Sequence, residues 1–340
     1  MKKMGLLILL LPLMTVSLFP GKLSVLPELT NPGMMTIDGD ELYVLDEVVV
    51  YVYSLKDYCL LRKFGKKGEG PGELLPDADL PITMQVLKEQ VLVNSFNKLV
   101  CFSKTGKMIT EKRIPFFVFQ IIPFGKNYAV TKFTRYSDGR SKVSVLLFDN
   151  EFKEIKTLYE TELLNDQGKG KIAFPLITAF IRVSGNQLSV VDQKMEFLIQ
   201  RFDLEGNRLP PIKKAYQKIK VTDSFKKESM EWLSLQPAFK SAPERARKMI
   251  YFPPYLPVIR NLAIKDQKLY VQTYKTRGQL FEFFILDLNG KVLKTVFLPD
   301  EKNIKIAPTP TPRYDFKENK FYYLQENVDE ETWELHVQEI

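Results

Sequence analysis

Apolar residues along this chain come in short runs of four to eight, many alternating with polar ones. Clusters of Gly, Asn, Asp, Lys and Pro separate the runs at fairly even intervals. Runs of that length and period read as strands, and their spacing fits a sandwich, a barrel or a propeller. The sharpest punctuation is Phe64–Leu74, FGKKGEGPGEL, which holds Gly65, Gly68, Gly70, Pro71 and Gly72. Gly tolerates φ > 0 and Pro fixes φ, so the stretch reads as a defined reversal joining two sheet units.

An internal repeat decides among the β architectures. Each unit has an inner strand, a turn, a strand of the form Leu-Tyr-Val-x-Asp, and two further strands around a second turn. Unit one runs through Met34–Ile37, the turn Asp38-Gly39-Asp40, Leu42–Asp46, Val48–Tyr53 and Cys59–Phe64. Later units open near Ile82, Val118, Ile177, Val258 and Arg313. The sixth runs out of chain before a fourth strand, while Leu23–Leu29 is a strand-like run with no unit of its own. Joining the two closes a circle and removes the exposed edges. The expected fold is all-β: a six-bladed β-propeller over residues 22–340, closed by an N-terminal strand. One segment, about 221–250, breaks the pattern. Phe225, Trp232 and Leu233 lie among charges, and Ser241-Ala242-Pro243-Glu244 matches a capping box. It predicts a helical insertion between blades four and five, lying across one face of the ring.

The stretch Ile37–Leu74, with its Leu-Tyr-Val-Leu-Asp run followed by FGKKGEGPGEL, resembles bacterial six-bladed β-propeller proteins of the NHL and TolB-like kind. Tyr251–Pro257 followed by Ile259–Val271 is similar to the same group, so the resemblance spans roughly Pro27 to Ile340. It implies a fold; that family mostly lacks assigned activities, so no reaction comes with it.

Residues 1–21 change the cellular picture. Lys2 and Lys3 precede an apolar run from Met4 to Phe19, the layout of a secretory signal and short for a membrane span. No Cys precedes Cys59, so a lipid-modified cysteine is not expected. The body is expected in the periplasm or outside the cell, and as a monomer. Cys59 and Cys101 make neither a disulfide framework nor a zinc set. The formal net charge of +8 is concentrated: residues 211–250 hold ten Lys/Arg against four Asp/Glu. A local basic patch on an exported chain argues against nucleic acid as partner.

Candidate chemistry is sparse. The glycine joint lacks the Gly-Lys-Ser/Thr opening of a helix that a phosphate loop needs, so a structural turn is expected. The single histidine, His336, lies in the last strand run, on the face shared with Glu334 and Gln338, which leaves no triad or histidine metal site. Aligning the units places Asp46, Ser95, Lys132, Asp192, Thr273 and Gln325 at equivalent second-strand ends, with Arg135 and Tyr274 close by. In a propeller these ends open near the channel, so the set is the expected ligand-binding mouth; capping of neighbouring turns is the competing role. No cofactor is expected. An alternative is a calcium-assisted hydrolase of lactonase-like type using Asp46, Asp192 and Gln325, by fold analogy. Lys226, Lys227, Arg245 and Lys248 form a second candidate surface, for a polysaccharide or acidic partner. The function expected is binding or scaffolding of a protein, polysaccharide or other polar ligand outside the cytoplasm, rather than catalysis.

Overall fold

Within the strand Glu41–Asp46, Leu42 and Val44 enter one apolar cluster while Tyr43 and Leu45 enter another. Successive side chains of a strand face opposite sides of its sheet. A strand buried on both sides therefore reads as an unbroken apolar run, which is how the Leu-Tyr-Val-Leu pattern arises. The same holds around the molecule. A computed structural model describes residues 21–75, 82–95, 97–115, 118–137, 140–163, 171–176, 178–194, 196–300 and 312–340. The expected signal segment lies outside these residues, apart from Gly21.

Six four-stranded antiparallel sheets form the blades, each running from inner to outer strand. Blade one is Pro32–Asp38, Glu41–Asp46, Val49–Ser54 and Leu60–Phe64. Blade two is Thr83–Val86, Gln90–Ser95, Lys98–Ser103 and Met108–Arg113. Blade three is Val118–Phe124, Asn127–Arg135, Ser141–Phe148 and Glu154–Glu162. Blade four is Ala179–Ser184, Gln187–Asp192, Phe197–Phe202 and Arg208–Lys214. Blade five is Ile259–Lys265, Lys268–Arg277, Leu280–Asp287 and Val292–Pro299. Blade six is Tyr314–Lys317, Lys320–Asn327 and Thr332–Glu339, and its outer strand is Gly21–Val25 from the other end of the chain. The expected closure is therefore present, with Leu26 and Leu29 buried beyond the strand. Lys22 Nζ meets Glu334 at 2.7 Å across the seam. Glu334 also accepts from Asn327 Nδ2 at 3.0 Å and lies 2.9 Å from His336 Nε2.

The core is divided into wedges. Six apolar clusters each fill the space between two adjacent blades, including the pair six and one. Toward the axis the inner strands are cross-tied by polar groups. Gln85 donates to Ile121 O, and Gln120 accepts from Ile181 N at 3.0 Å. Arg182 donates to Leu262 O at 2.8 Å, Asn261 donates to Tyr314 OH at 2.8 Å, and Asp315 accepts from Ile37 N at 2.7 Å. Each tie satisfies a buried polar group, which would otherwise cost about 1–3 kcal/mol.

Turns between third and outer strands share one device. Asp149, Asp203 and Asp287 each accept two backbone N–H groups from their own turn. At Gly290 φ is +91° and a Cβ would come within 2.7 Å of Ile212, so the turn of blade five presses on the outer strand of blade four only because the residue is Gly. Outer strands share a second device just after the turn. Pairing slips by one residue, leaving Leu61, Ile109, Ile155 and Leu293 as extra residues; on blade six the slip falls two residues further along, at Leu23.

The glycine joint is a structural turn. Glu73 accepts from Gly70 N at 3.0 Å and from Lys66 Nζ at 2.7 Å, while Leu74 N donates to Lys66 O at 2.7 Å. Lys98 of blade two bonds Gly70 O and Glu111, both at 3.1 Å, which staples the joint to that blade.

The insertion is helical as expected. Helix α1, Asp223–Leu235, starts behind Thr222, whose hydroxyl accepts from Phe225 N at 3.1 Å. Helix α2 is Pro237–Lys240 and helix α3 is Pro243–Met249. Phe174, Leu233, Phe239 and Ile250 give this cap its own small core. Ile250–Tyr251 pairs in parallel with Ile172–Ala173 of the connection between blades three and four.

Candidate functional site

One level of the ring collects the second-strand ends. Strand register sets Asp46, Lys132, Asp192 and Thr273 opposite the first residues of their inner strands, Pro32, Val118, Ala179 and Ile259. Ser95 ends its strand on blade two, and Gln325 lies two residues before the end of Lys320–Asn327 on blade six. The connections between blades open at the same level, which is the face of the ring expected to carry the channel mouth.

Four of these residues secure neighbouring chain. Asp46 accepts from Thr30 N at 2.5 Å and Asn31 N at 3.1 Å. Ser95 Oγ accepts from Leu75 N at 2.9 Å and donates to Leu75 O at 2.8 Å. Asp192 accepts from Tyr159 OH at 2.8 Å and Lys194 N at 3.0 Å; burial, and then the Asp192 charge, raise the Tyr159 phenol well above its ordinary range. Thr273 donates to Glu282 at 3.0 Å and meets Tyr216 OH at 3.0 Å. Tyr216 also donates to Glu282 at 2.7 Å, which ties the start of the insertion to blade five.

The remaining four differ. Arg135 and Gln325 are exposed, and their side chains make no hydrogen bond or ion pair among the described residues. Lys132 is half-buried. The Tyr274 ring is buried, and burial pushes its phenol up to about 12.

Asp46 and Asp192 lie on different blades, each engaged by N–H or O–H donors, and the described residues contain no group of three or more His, Cys, Asp or Glu placed to hold a metal. On the insertion, Lys226 pairs with Asp223 at 2.8 Å and Lys227 with Glu231 at 4.0 Å, while Arg245 and Lys248 on α3 are exposed. Cys59 is exposed and Cys101 buried, and both are free thiols.

The inner-strand set escapes the sequence reading. Arg182, Asn261 and Tyr314 form a chain that continues through Gln272, which accepts from Tyr314 OH at 3.1 Å and donates to Asp300 at 2.7 Å. Burial lowers Arg182 to about 10 and raises the Tyr314 phenol far above its usual range. The available signal was a single polar residue inside an apolar inner strand, as in Ile181-Arg182-Val183.

With ring and mouth described, comparison with known proteins is informative about family. The sequence profile of the six-bladed β-propeller family DUF5128 matches residues 28–231. The chain belongs to this six-bladed β-propeller family. No curated protein matches it in sequence. Among solved structures, a DUF4221-family member from Bacteroides vulgatus aligns with a TM-score of 0.49 at 9% identity, over 94% of this chain and 97% of its own. Kluyveromyces lactis Hsv2 aligns at 0.39 with 13% identity, over 91% and 98%. BamB from Moraxella catarrhalis aligns at 0.33 with 10% identity, over 89% and 71%. At these scores the structural likenesses carry no argument about what the DUF5128 chain binds.

Proposed function

We propose that this DUF5128 propeller is an exported binding or scaffold module that recognises a partner or polar ligand at its channel mouth. One contrast carries the reading. Asp46, Ser95, Asp192 and Thr273 are engaged by adjacent chain, whereas the exposed Arg135 and Gln325 side chains have no hydrogen-bond or ion-pair partner among the described residues. Polar groups displayed on a cross-tied ring recognise ligands without an ordering penalty, which is where binding residues collect on rigid scaffolds. Export rests on Lys2, Lys3 and the apolar run that follows them. Kinship with NHL and TolB-like propellers, through the GPGE stretch, belongs to the same reading.

A binding screen of polar small molecules and peptides tests it. The wild-type chain is compared with a mouth variant, Arg135→Trp with Gln325→Trp, and a rim variant, Leu61→Ser with Leu293→Ser. Binders lost in the mouth variant and kept in the rim variant are the expected result. Binders indifferent to the mouth substitutions would overturn the proposal.

A further inference from the structure

The end of the ring opposite the mouth carries a surface of its own. In blades one to five the outer strand begins there, because the three strands before it run away from the mouth, back and away again. Among the described residues, six of the ten exposed large apolar side chains sit at those strand starts: Leu61, Met108, Ile109, Ile155, Val292 and Leu293. The slipped residues Leu61, Ile109, Ile155 and Leu293 are 45%, 55%, 52% and 51% exposed. Bulges re-aim side chains, so the backbone itself presents these four to solvent. The other four exposed apolar side chains are scattered over the mouth-side connections and the insertion.

Cations accompany the six. Within three residues of them stand the exposed Lys63, Lys107, Lys153, Lys156, Lys291 and Lys294, against one exposed acid, Glu154. Arg62 is paired with Glu41 at 2.6 Å, and Glu111 with Lys98 at 3.1 Å. Glu151 adds a further anion on blade three, so the excess of positive charge lies on blades one, two and five. The Lys107, Lys291 and Lys294 side chains make no hydrogen bond or ion pair among the described residues.

The start of the chain arrives at this same end. Gly21 pairs with Val337, two residues before the end of Thr332–Glu339, the third strand of blade six. The residues that precede Gly21 include Lys2, Lys3 and the apolar run Met4–Phe19, the layout of a segment that enters a membrane during export.

We propose that this end of the ring rests on a lipid bilayer bearing anionic headgroups, with the mouth turned away from it. The apolar side chains reach the acyl boundary and the lysines lie among the phosphates, each keeping its charged head in the polar layer. A flat surface meets residues on blades one, two, three and five together. A second copy of the chain brings the same lysines and is repelled by them. The proposal goes beyond the mouth reading and shares with it only the export signal.

The test labels the full-length chain at Cys59 with an environment-sensitive thiol fluorophore. Cys59 is exposed in the turn beside Leu61, and Cys101 is buried. A second sample carries the fluorophore at the mouth, in Cys59→Ser with Gln325→Cys. Both are mixed with phosphatidylcholine vesicles containing about one quarter phosphatidylglycerol, and co-flotation is measured alongside. The Cys59 probe should shift to the blue and become shielded from an aqueous quencher, while the mouth probe stays accessible. The rim variant, Leu61→Ser with Leu293→Ser, and the charge variant, Lys107→Glu with Lys294→Glu, should each lose that shielding although the apolar run still holds the chain on the vesicles. Absence of co-flotation, equal shielding of both probes, or shielding unchanged in both variants would each overturn the proposal. A blue shift of the Cys59 probe that grows with protein concentration in vesicle-free buffer would assign the surface to a second copy and overturn it as well. Binders lost in the Arg135→Trp/Gln325→Trp variant are unaffected by any of these outcomes, so the two readings fail separately.

Discussion

Glu334→Gln tests the ring closure most directly. In the wild type this carboxylate holds Lys22 of the outer strand at 2.7 Å, with Asn327 and His336 on its remaining lone pairs. The Lys22 hydrogen bond, then that of Asn327, hold its pKa down at about 2. A charge-assisted bond contributes about 1.5–3 kcal/mol and a neutral one about 1, and Gln keeps part of the latter, so the net loss is about 2 kcal/mol. The loss falls on the seam. Exchange of the Val25 and Leu26 amides should speed up about 30-fold, while blades three and four keep their protection. The sign with pH follows from a folded pKa below the unfolded one. The stabilisation is complete above the ordinary carboxylate range, about 4.3, and is lost as pH falls toward about 2. The gap in stability between wild type and variant should therefore stay constant above about pH 5 and narrow as the pH falls from about 4.3 toward about 2. Hydrogen exchange read residue by residue, with urea melts at each pH, makes both measurements. A gap that stays constant with pH, or exchange accelerated evenly around the ring, would refute the assignment of the seam to this ion pair.

Other outcomes follow from the same structure. Gly65→Ala places a Cβ against the Val48 carbonyl at φ +94°, so urea melts should show a loss of about 3 kcal/mol or more. Thr222→Ala removes the α1 cap and should cost about 1 kcal/mol, seen as faster exchange in the insertion with the blades unchanged. Charge reversal at Lys226, Lys227, Arg245 and Lys248 replaces four cations of the insertion by anions on a chain of formal net charge +8, so salt-sensitive retention on an anionic resin should be lost; unchanged retention would remove this surface as a candidate. A calcium chelator should leave the melting temperature where it was, because the Asp46 and Asp192 carboxylates are held by protein donors.

The blades were legible because propeller strands are buried on both faces, which turns Leu42–Leu45 or Leu188–Val191 into apolar blocks between recognisable turns. The seam was legible for a related reason: Leu23–Leu29 had apolar residues to bury and no unit to bury them in. Hydrogen bonding across blades was far less visible. Asp315 and Ile37 lie 278 positions apart, and no local pattern pairs them. At the mouth, the second-strand alignment found a common level in space, yet it could not separate Asp46, whose carboxylate holds Thr30 and Asn31, from Gln325, whose side chain makes no hydrogen bond among the described residues. Both are polar positions toward the same end of a second strand until the connecting chain is seen beside them.

The slipped residues Leu61, Ile109, Ile155 and Leu293 also bear on how copies of this protein behave at high concentration. An unpaired perimeter strand normally offers a foreign strand a straight row of donors and acceptors. Here that row is offset near its start, at the same height on several sides, so an incoming strand falls out of step within a few residues. Lateral addition of strands at these four edges therefore lacks a straight template to copy.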